Sequence, residues 1–336
     1  MKTKIASLIP SSLKQKRRNV LFYMKALRAN TYDLNRYFKY SSTNGLNTEK
    51  GLISKIIMEY HALEKGMTMP DIRYGFGMNR VNGLINLCNR YSNRYNSNHP
   101  QYINAVGVLI EYLSVHNKNK INIPEEIKTG ILNLKTETNF QSTKQINKNK
   151  EDYFKLNKSN FLEFANSRHS LRNYSQENVD LELIKSAIDF TKNTPSVCNR
   201  QSVFCHVFTD KDQIASILKV QGGNRGFGHL TNKLIVVTSD LNTFFGEGER
   251  NQAFIDGGMV AMNLLYSLHY NQLGACILNC SNSVVKDKNM RKVTGVKESH
   301  VFIAMISCGH VPDNFLIAAS KKDTLKYRLN IDGNEI

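Results

Sequence analysis

No run of apolar residues in this 336-residue chain approaches the roughly 20 needed to cross a bilayer. The best candidates, Leu234–Thr238 and Val301–Cys308, have the length of strands. Ile5–Pro10 follows Lys2 and Lys4 but is too short and interrupted for the apolar core of a secretion signal. The expectation is therefore a cytoplasmic protein. Six cysteines (Cys88, Cys198, Cys205, Cys276, Cys280 and Cys308) include no CxxC pair and no Cys/His spacing suited to zinc. They read as small buried apolar residues in a reducing compartment, and no metal is expected. Internal repeats are absent, and the glycine-rich loop Gln221–Gly228 fits neither a Walker loop nor a dinucleotide fingerprint. Neither the aromatic interleaving of single-strand binders nor a helix-turn-helix pattern occurs, so nucleic acid is not an expected partner.

Acidic residues are the scarce charge. Asp and Glu number 28 against 45 Lys and Arg, a formal net charge of +17 that attracts phosphate-rich ligands, nucleic acid or anionic membranes without choosing among them. With 41% hydrophobic residues, the chain can build an ordinary core and has the length for two domains. Apolar residues recur at helical spacing over about 18–40, 48–63, 78–92, 100–116 and 124–134, and no strand-like alternation interrupts them. This predicts an all-helical N-terminal domain over 1–135. Lys14, Lys16, Arg17 and Arg18 enter the first helix, a pattern shared by helices lying on anionic lipid and helices docked on their own domain. Docking is the expectation, with peripheral membrane contact as the alternative. Near the end of the second helix His61, Glu64 and Arg73 cluster around Gly66, a helix stop, and form a candidate substrate-facing segment. Residues 136–160 turn polar and lysine-rich and read as a linker.

From 161 to 332 helical and extended patterns alternate. Strands are expected at Val203–Phe208, Lys233–Ser239 and Val301–Ile306, an extended run at Ala275–Leu278, and helices at Leu181–Thr191, Asp212–Lys219, Asn251–Tyr270 and Val284–Val293. A mixed sheet flanked by helices follows, an α+β architecture. The helix Asn251–Tyr270 is apolar around nearly its whole circumference, with Gly257, Gly258 and Ala261 permitting close approach. It belongs in a core or at a subunit interface.

Ser167–Arg172 concentrates the chemistry of this half. Arg168 and Arg172 offer planar donor forks suited to phosphate, and Ser170 adds a hydroxyl. One helix later, Pro195 restricts the entry to a loop whose Ser196, Asn199 and Gln201 supply further polar groups. Taken alone, each motif reads first as solvated charge at a helix end or as a turn.

The order Arg168-His169-Ser170-x-Arg172, then Pro195-Ser196-x-x-Asn199-x-Gln201, Asn224, Asp256-Gly257-Gly258 and Lys326-x-Arg328 resembles the nitroreductase family of FMN-dependent oxidoreductases. The resemblance covers about residues 160–330 and implies a nitroreductase-like fold and a homodimer with FMN between subunits. It implies that Arg168, Ser170, Lys326 and Arg328, with His169, hold the FMN phosphate. Arg172 would face the flavin N1–C2=O edge, and Asn224 the ring or ribityl chain. Pro195, Ser196 and Asn199 would approach from the partner subunit, while Cys280 and Ser281 fall where backbone N–H groups meet flavin N5. No side chain is named as acid or base, because the ring carries the redox step. NADH or NADPH would donate hydride and a small-molecule acceptor would then take its place. The His61–Gly77 segment resembles N-terminal extensions of nitroreductase-like proteins tied to surface-polysaccharide synthesis. One departure is clear: Ser202-Val203 follow Gln201, where the family often has Pro and Trp, and this chain has no Trp. Two alternatives stay open, a flavin-dependent dehydrogenase of an unknown metabolite and a non-catalytic basic module that binds anionic lipid or nucleic acid.

Overall fold

The computed structural model describes residues 10–40, 42, 45–134, 145–325, 328–332 and 334–335. The N-terminal half consists of α1 (Ser11–Tyr40), α2 (Glu49–Met67), α3 (Met78–Ser92), α4 (Pro100–Lys118) and α5 (Glu125–Leu132). Thr48 starts α2 by accepting the Gly51 N–H, and His99 starts α4 ahead of Pro100. The three- and four-residue spacing of Leu52, Ile56, Tyr60, Leu63 and Met67 turns one face of α2 into a core shared with Leu84, Cys88, Leu109 and Tyr112. No helix among the described residues is long and apolar enough to cross a membrane.

Helix α1 departs from expectation. It does not dock on the core formed by α2–α5: Leu21, Phe22, Met24, Leu27, Leu34 and Phe38 are all exposed. Its link to the rest of the chain is an ion pair, Arg250 Nε to Asp33 Oδ2 at 2.6 Å, beside a turn at Glu247–Glu249. Apolar residues at 20, 24, 27, 34 and 38 form a narrow stripe of coiled-coil spacing, and others occupy the remaining faces.

The expected linker over 136–160 also needs correction where it is described. Residues 135–144 lie outside the described residues. Beyond them, β1 (Ile146–Asn149) pairs antiparallel with β6 (Asn314–Ile317), and α6 (Lys150–Phe154) buries Tyr153 and Phe154. Polar strand residues suffice there because the main chain supplies the pairing, and two aromatic rings anchor the short helix.

The remaining elements are α7 (Phe161–Ser167), α8 (Leu181–Phe190), β2 (Val203–Phe208), α9 (Lys211–Gln221), β3 (Lys233–Asp240), α10 (Gln252–Tyr270), β4 (Gly274–Asn279), α11 (Val284–Thr294) and β5 (His300–Gly309). The sheet runs β2-β3-β5-β4, and all three pairings are antiparallel, a narrower arrangement than a mixed sheet. Helix α10 lies against it, burying Ala253, Ala261, Leu264, Leu265 and Leu268. Gly257 makes the approach possible, since a Cβ there would sit 2.5 Å from Ile303 Cγ1 on β5. The opposite face of α10 leaves Phe254, Ile255, Met259 and Met262 exposed.

Candidate functional site

After α7 ends at Ser167, the chain runs extended across the edge strand. Leu171 is buried; its N–H donates to Ala275 O on β4 at 2.9 Å, and its carbonyl accepts the Tyr174 hydroxyl at 2.8 Å. With Leu171 fixed, its neighbours Arg168, His169, Ser170 and Arg172 line a cavity of about 530 Å³. Helix α2 contributes Tyr60 and His61 to the wall, and the chain after β6 contributes Lys321 and Lys322. Arg168 Nε is buried without a hydrogen-bond partner among the described residues. A buried guanidinium donor left over beside a hydroxyl and two lysines is the donor set of an anion site.

Burial holds the His169 imidazole below its usual pKa, and the neighbouring Arg168 adds to this. The ring's Nδ1 donates to Ser167 O at 2.9 Å. Behind it, burial and then Arg168 push His269 down to about 4. His269 Nε2 lies 2.8 Å from Ser167 Oγ, at the start of the motif.

The N-terminal helices hold the C-terminal wall of this cavity in place. Glu64 is buried; its Oε1 accepts the Ser320 N–H at 2.9 Å, and its Oε2 lies 3.0 Å from His61 Nδ1. On α4, Gln101 Nε2 donates to Asp323 Oδ1 at 2.7 Å, while its carbonyl accepts the Tyr60 hydroxyl. Of the three residues suggested to face a substrate, His61 thus lines this cavity, Glu64 is turned inward onto Ser320, and Arg73 lies elsewhere. Lys326 falls outside the described residues. Arg328 is exposed and lines neither this cavity nor the second one below, so among the described residues the C-terminal cations lining the cavity with Arg168 are Lys321 and Lys322. Their signal in the sequence was the adjacent basic pair a few residues beyond the apolar run Phe315–Ala318.

A second cavity, of about 460 Å³, shares Arg172 with the first. The N-terminal half lines it with Lys65, Asp71, Arg73 and Arg80, and the glycine-rich loop with Arg225 and Phe227. Burial lowers the Lys65 pKa, and the nearby Arg172 and Arg80 lower it further. Beneath lies the buried Cys276 thiol, raised by burial although Arg172, Lys65 and Arg168 all pull it down.

Other residues from the sequence reading sit apart. Asn224 is turned into its own loop, donating to Leu218 O at 2.6 Å and to Gln221 Oε1 at 3.2 Å. The segment after Pro195 is held by Asp256 on α10, whose Oδ2 accepts the Val197 N–H at 3.2 Å. There Ser196 Oγ accepts the Gln201 N–H at 3.0 Å, and Cys198, Asn199 and Gln201 all adopt positive φ. Three such non-glycine residues in one loop mark a conformation that local preference does not explain. It lines neither cavity. Past β4, burial raises the Cys280 thiol to about 12, while Ser281 is exposed. Next to them, Asn282 has a buried side-chain amide with neither its nitrogen nor its oxygen partnered among the described residues.

No curated protein matches this sequence. Among solved structures, the chain is similar to an FMN-dependent nitroreductase from Clostridium difficile R20291, with 18% identity over 49% of this chain and 95% of that one and a TM-score of 0.42. It is similar also to a nitroreductase with bound FMN from Desulfitobacterium hafniense DCB-2, at 19% identity over 43% and 85% of the two chains, with a TM-score of 0.35. Residues 165–224, from the end of α7 through the Arg168–Arg172 motif and the Pro195 loop to Asn224, match the model of the Nitroreductase family.

Proposed function

We propose that the chain is an FMN-dependent oxidoreductase that carries hydride from NADH or NADPH to a small organic acceptor. One observation carries this reading: Arg168, Ser170, Arg172, Lys321 and Lys322 line a single cavity in which Arg168 Nε is buried and unpartnered. Those residues fit a phosphate monoester, whose oxygens would complete the guanidinium fork and whose charge the two lysines would offset. Lys321 and Lys322 then supply charge that the sequence resemblance assigned in part to Arg328. Arg172, between the two cavities, gives a fixed positive charge toward the pyrimidine end of the flavin, where reduction adds negative charge. Bound FMN supplies the atom that accepts and returns hydride; the chain binds, orients and controls access.

The reading includes a homodimer. The exposed Phe254, Ile255, Met259 and Met262 on α10 form an apolar face of the kind subunit interfaces cover. In that dimer the strained Pro195–Gln201 loop, with Ser196 and Asn199, reaches the partner's cofactor. The helical extension, by its resemblance, sets the acceptor within surface-polysaccharide or related metabolism, in the cytoplasm.

The test is spectroscopic. Purified protein is expected to show flavin absorbance and to bleach anaerobically with NADH or NADPH. Arg168→Ala removes charge-assisted hydrogen bonds worth about 1.5–3 kcal/mol, so FMN affinity should fall about 10- to 100-fold in a fluorescence titration. Colourless protein that ignores added FMN would overturn the assignment.

A further inference from the structure

The second cavity holds more positive charge than the cofactor reading uses. Arg172 is shared with the first cavity, and Arg80 is paired with Glu59. That leaves Lys65, Arg73 and Arg225 facing one carboxylate, Asp71. Among the described residues, none of these three cations forms an ion pair, whereas Lys55, Lys128, Lys185 and Lys192 each pair with a carboxylate within four residues. Burial first, and then the Arg172 and Arg80 guanidiniums that line the same cavity, lower the Lys65 pKa, so cations around this concavity already repel one another. Such an arrangement is unfavourable until an anion enters, which marks it as a candidate functional site.

Its construction also points to a ligand. Three cations come from two unrelated parts of the chain: Lys65 from α2 and Arg73 from the loop after it, and Arg225 from the glycine-rich loop between α9 and β3. Gly226, at φ +87°, brings that loop against the extension, where an added Cβ would lie 3.0 Å from Met69 Sδ. Met69, Phe76 and Phe227 add an apolar wall. At about 460 Å³, the cavity accommodates a charged group together with part of a carbon skeleton.

We propose that this cavity binds the phosphate or diphosphate group of a substrate, with Lys65, Arg73 and Arg225 as its ligands and Arg172 as the boundary with the cofactor. The proposal rests on the FMN reading and assigns that enzyme an anionic substrate class. It also gives the N-terminal extension a role: two of the three free cations belong to it. The phosphate could be carried by the nicotinamide donor or by the electron acceptor, and both present the same chemistry to the three side chains.

The experiment is calorimetric titration of the FMN-loaded, full-length protein with inorganic pyrophosphate, beside Arg73→Gln and Arg225→Gln. Flavin content is read independently from absorbance. Pyrophosphate is expected to bind the parent protein, and each substitution should weaken it at least tenfold while leaving flavin content unchanged. Anaerobic stopped-flow then separates the sources. If pyrophosphate slows reduction by NADPH, the phosphate belongs to the donor; if reduction is untouched and reoxidation by acceptor slows, it belongs to the acceptor. Absence of pyrophosphate binding, or equal binding by the variants, overturns the proposal. Loss of FMN from the variants also overturns it, because the cations would then belong to the cofactor, while a parent protein lacking FMN fails the earlier reading instead.

Discussion

Arg168 and His269 show how one charge governs its surroundings. Arg168 sits against His169 and His269, and both rings are held neutral by burial and by the guanidinium. For His269 the sign is definite. Its folded pKa of about 4 lies below the ordinary 6.5, so the unfolded chain takes up the proton first as pH falls. Stability is complete above pH 6.5 and declines as pH drops toward 4, by about 3 kcal/mol at 1.36 kcal/mol per unit. His269→Gln should flatten that part of the curve, as measured by urea denaturation across the range. An unchanged slope would place the acid sensitivity elsewhere. The three positive-φ residues Cys198, Asn199 and Gln201 were not legible in the sequence, because no glycine or Asn-Gly pair signals them. The surrounding contacts, including Asp256 beneath Val197, impose that conformation.

At the scale of elements, Gly257 is the sharpest packing constraint in α10. An alanine methyl would meet Ile303 Cγ1, Cδ1 and Cγ2, at 2.5, 2.9 and 3.0 Å. Gly257→Ala should therefore push α10 off β5 and cost about 1–3 kcal/mol, read as a lower thermal midpoint. Ile303→Ala in the same chain should recover part of that loss, a non-additive pair; strictly additive effects would show that the contact is slack. Strands and helices of this half were read closely from sequence. Val203–Phe208 is a short apolar, β-branched run between polar breaks, and β2 spans it. Helix α3 likewise occupies the 78–92 window that its apolar spacing marked. By contrast β1 was hidden, since Ile146–Asn149 has no strand signature and acquires one only by pairing with Phe315 and its neighbours. Helix α1 was legible as a helix, but its location was not, because periodicity says which faces are apolar and not what they meet.

Among the described residues, α1 and the outer face of α10 each present a row of exposed apolar side chains. If α10 joins two subunits, Ile255→Asp with Met259→Asp should convert the dimer to a monomer in sedimentation velocity. Flavin affinity should fall along with it, since in the proposed dimer the Pro195 loop would serve the partner's site. A double variant that remains dimeric would assign α10 another role. Arg168 and Arg172 could be picked out from one short motif, whereas the approach of Lys65, Lys321 and Lys322 to them depended on distant segments meeting. Sequence order cannot reveal that convergence, because it arises from contacts such as Glu64 to Ser320, 256 residues apart.

Those long-range contacts bear on how the protein can be handled. Glu64 and Gln101 fasten the strip that carries Lys321 and Lys322, so α2 and α4 act as scaffolding for the first cavity. An excised fragment starting at residue 145 would keep the sheet yet leave that strip untethered. Grafting the C-terminal half onto another protein therefore requires taking α2 and α4 along with it.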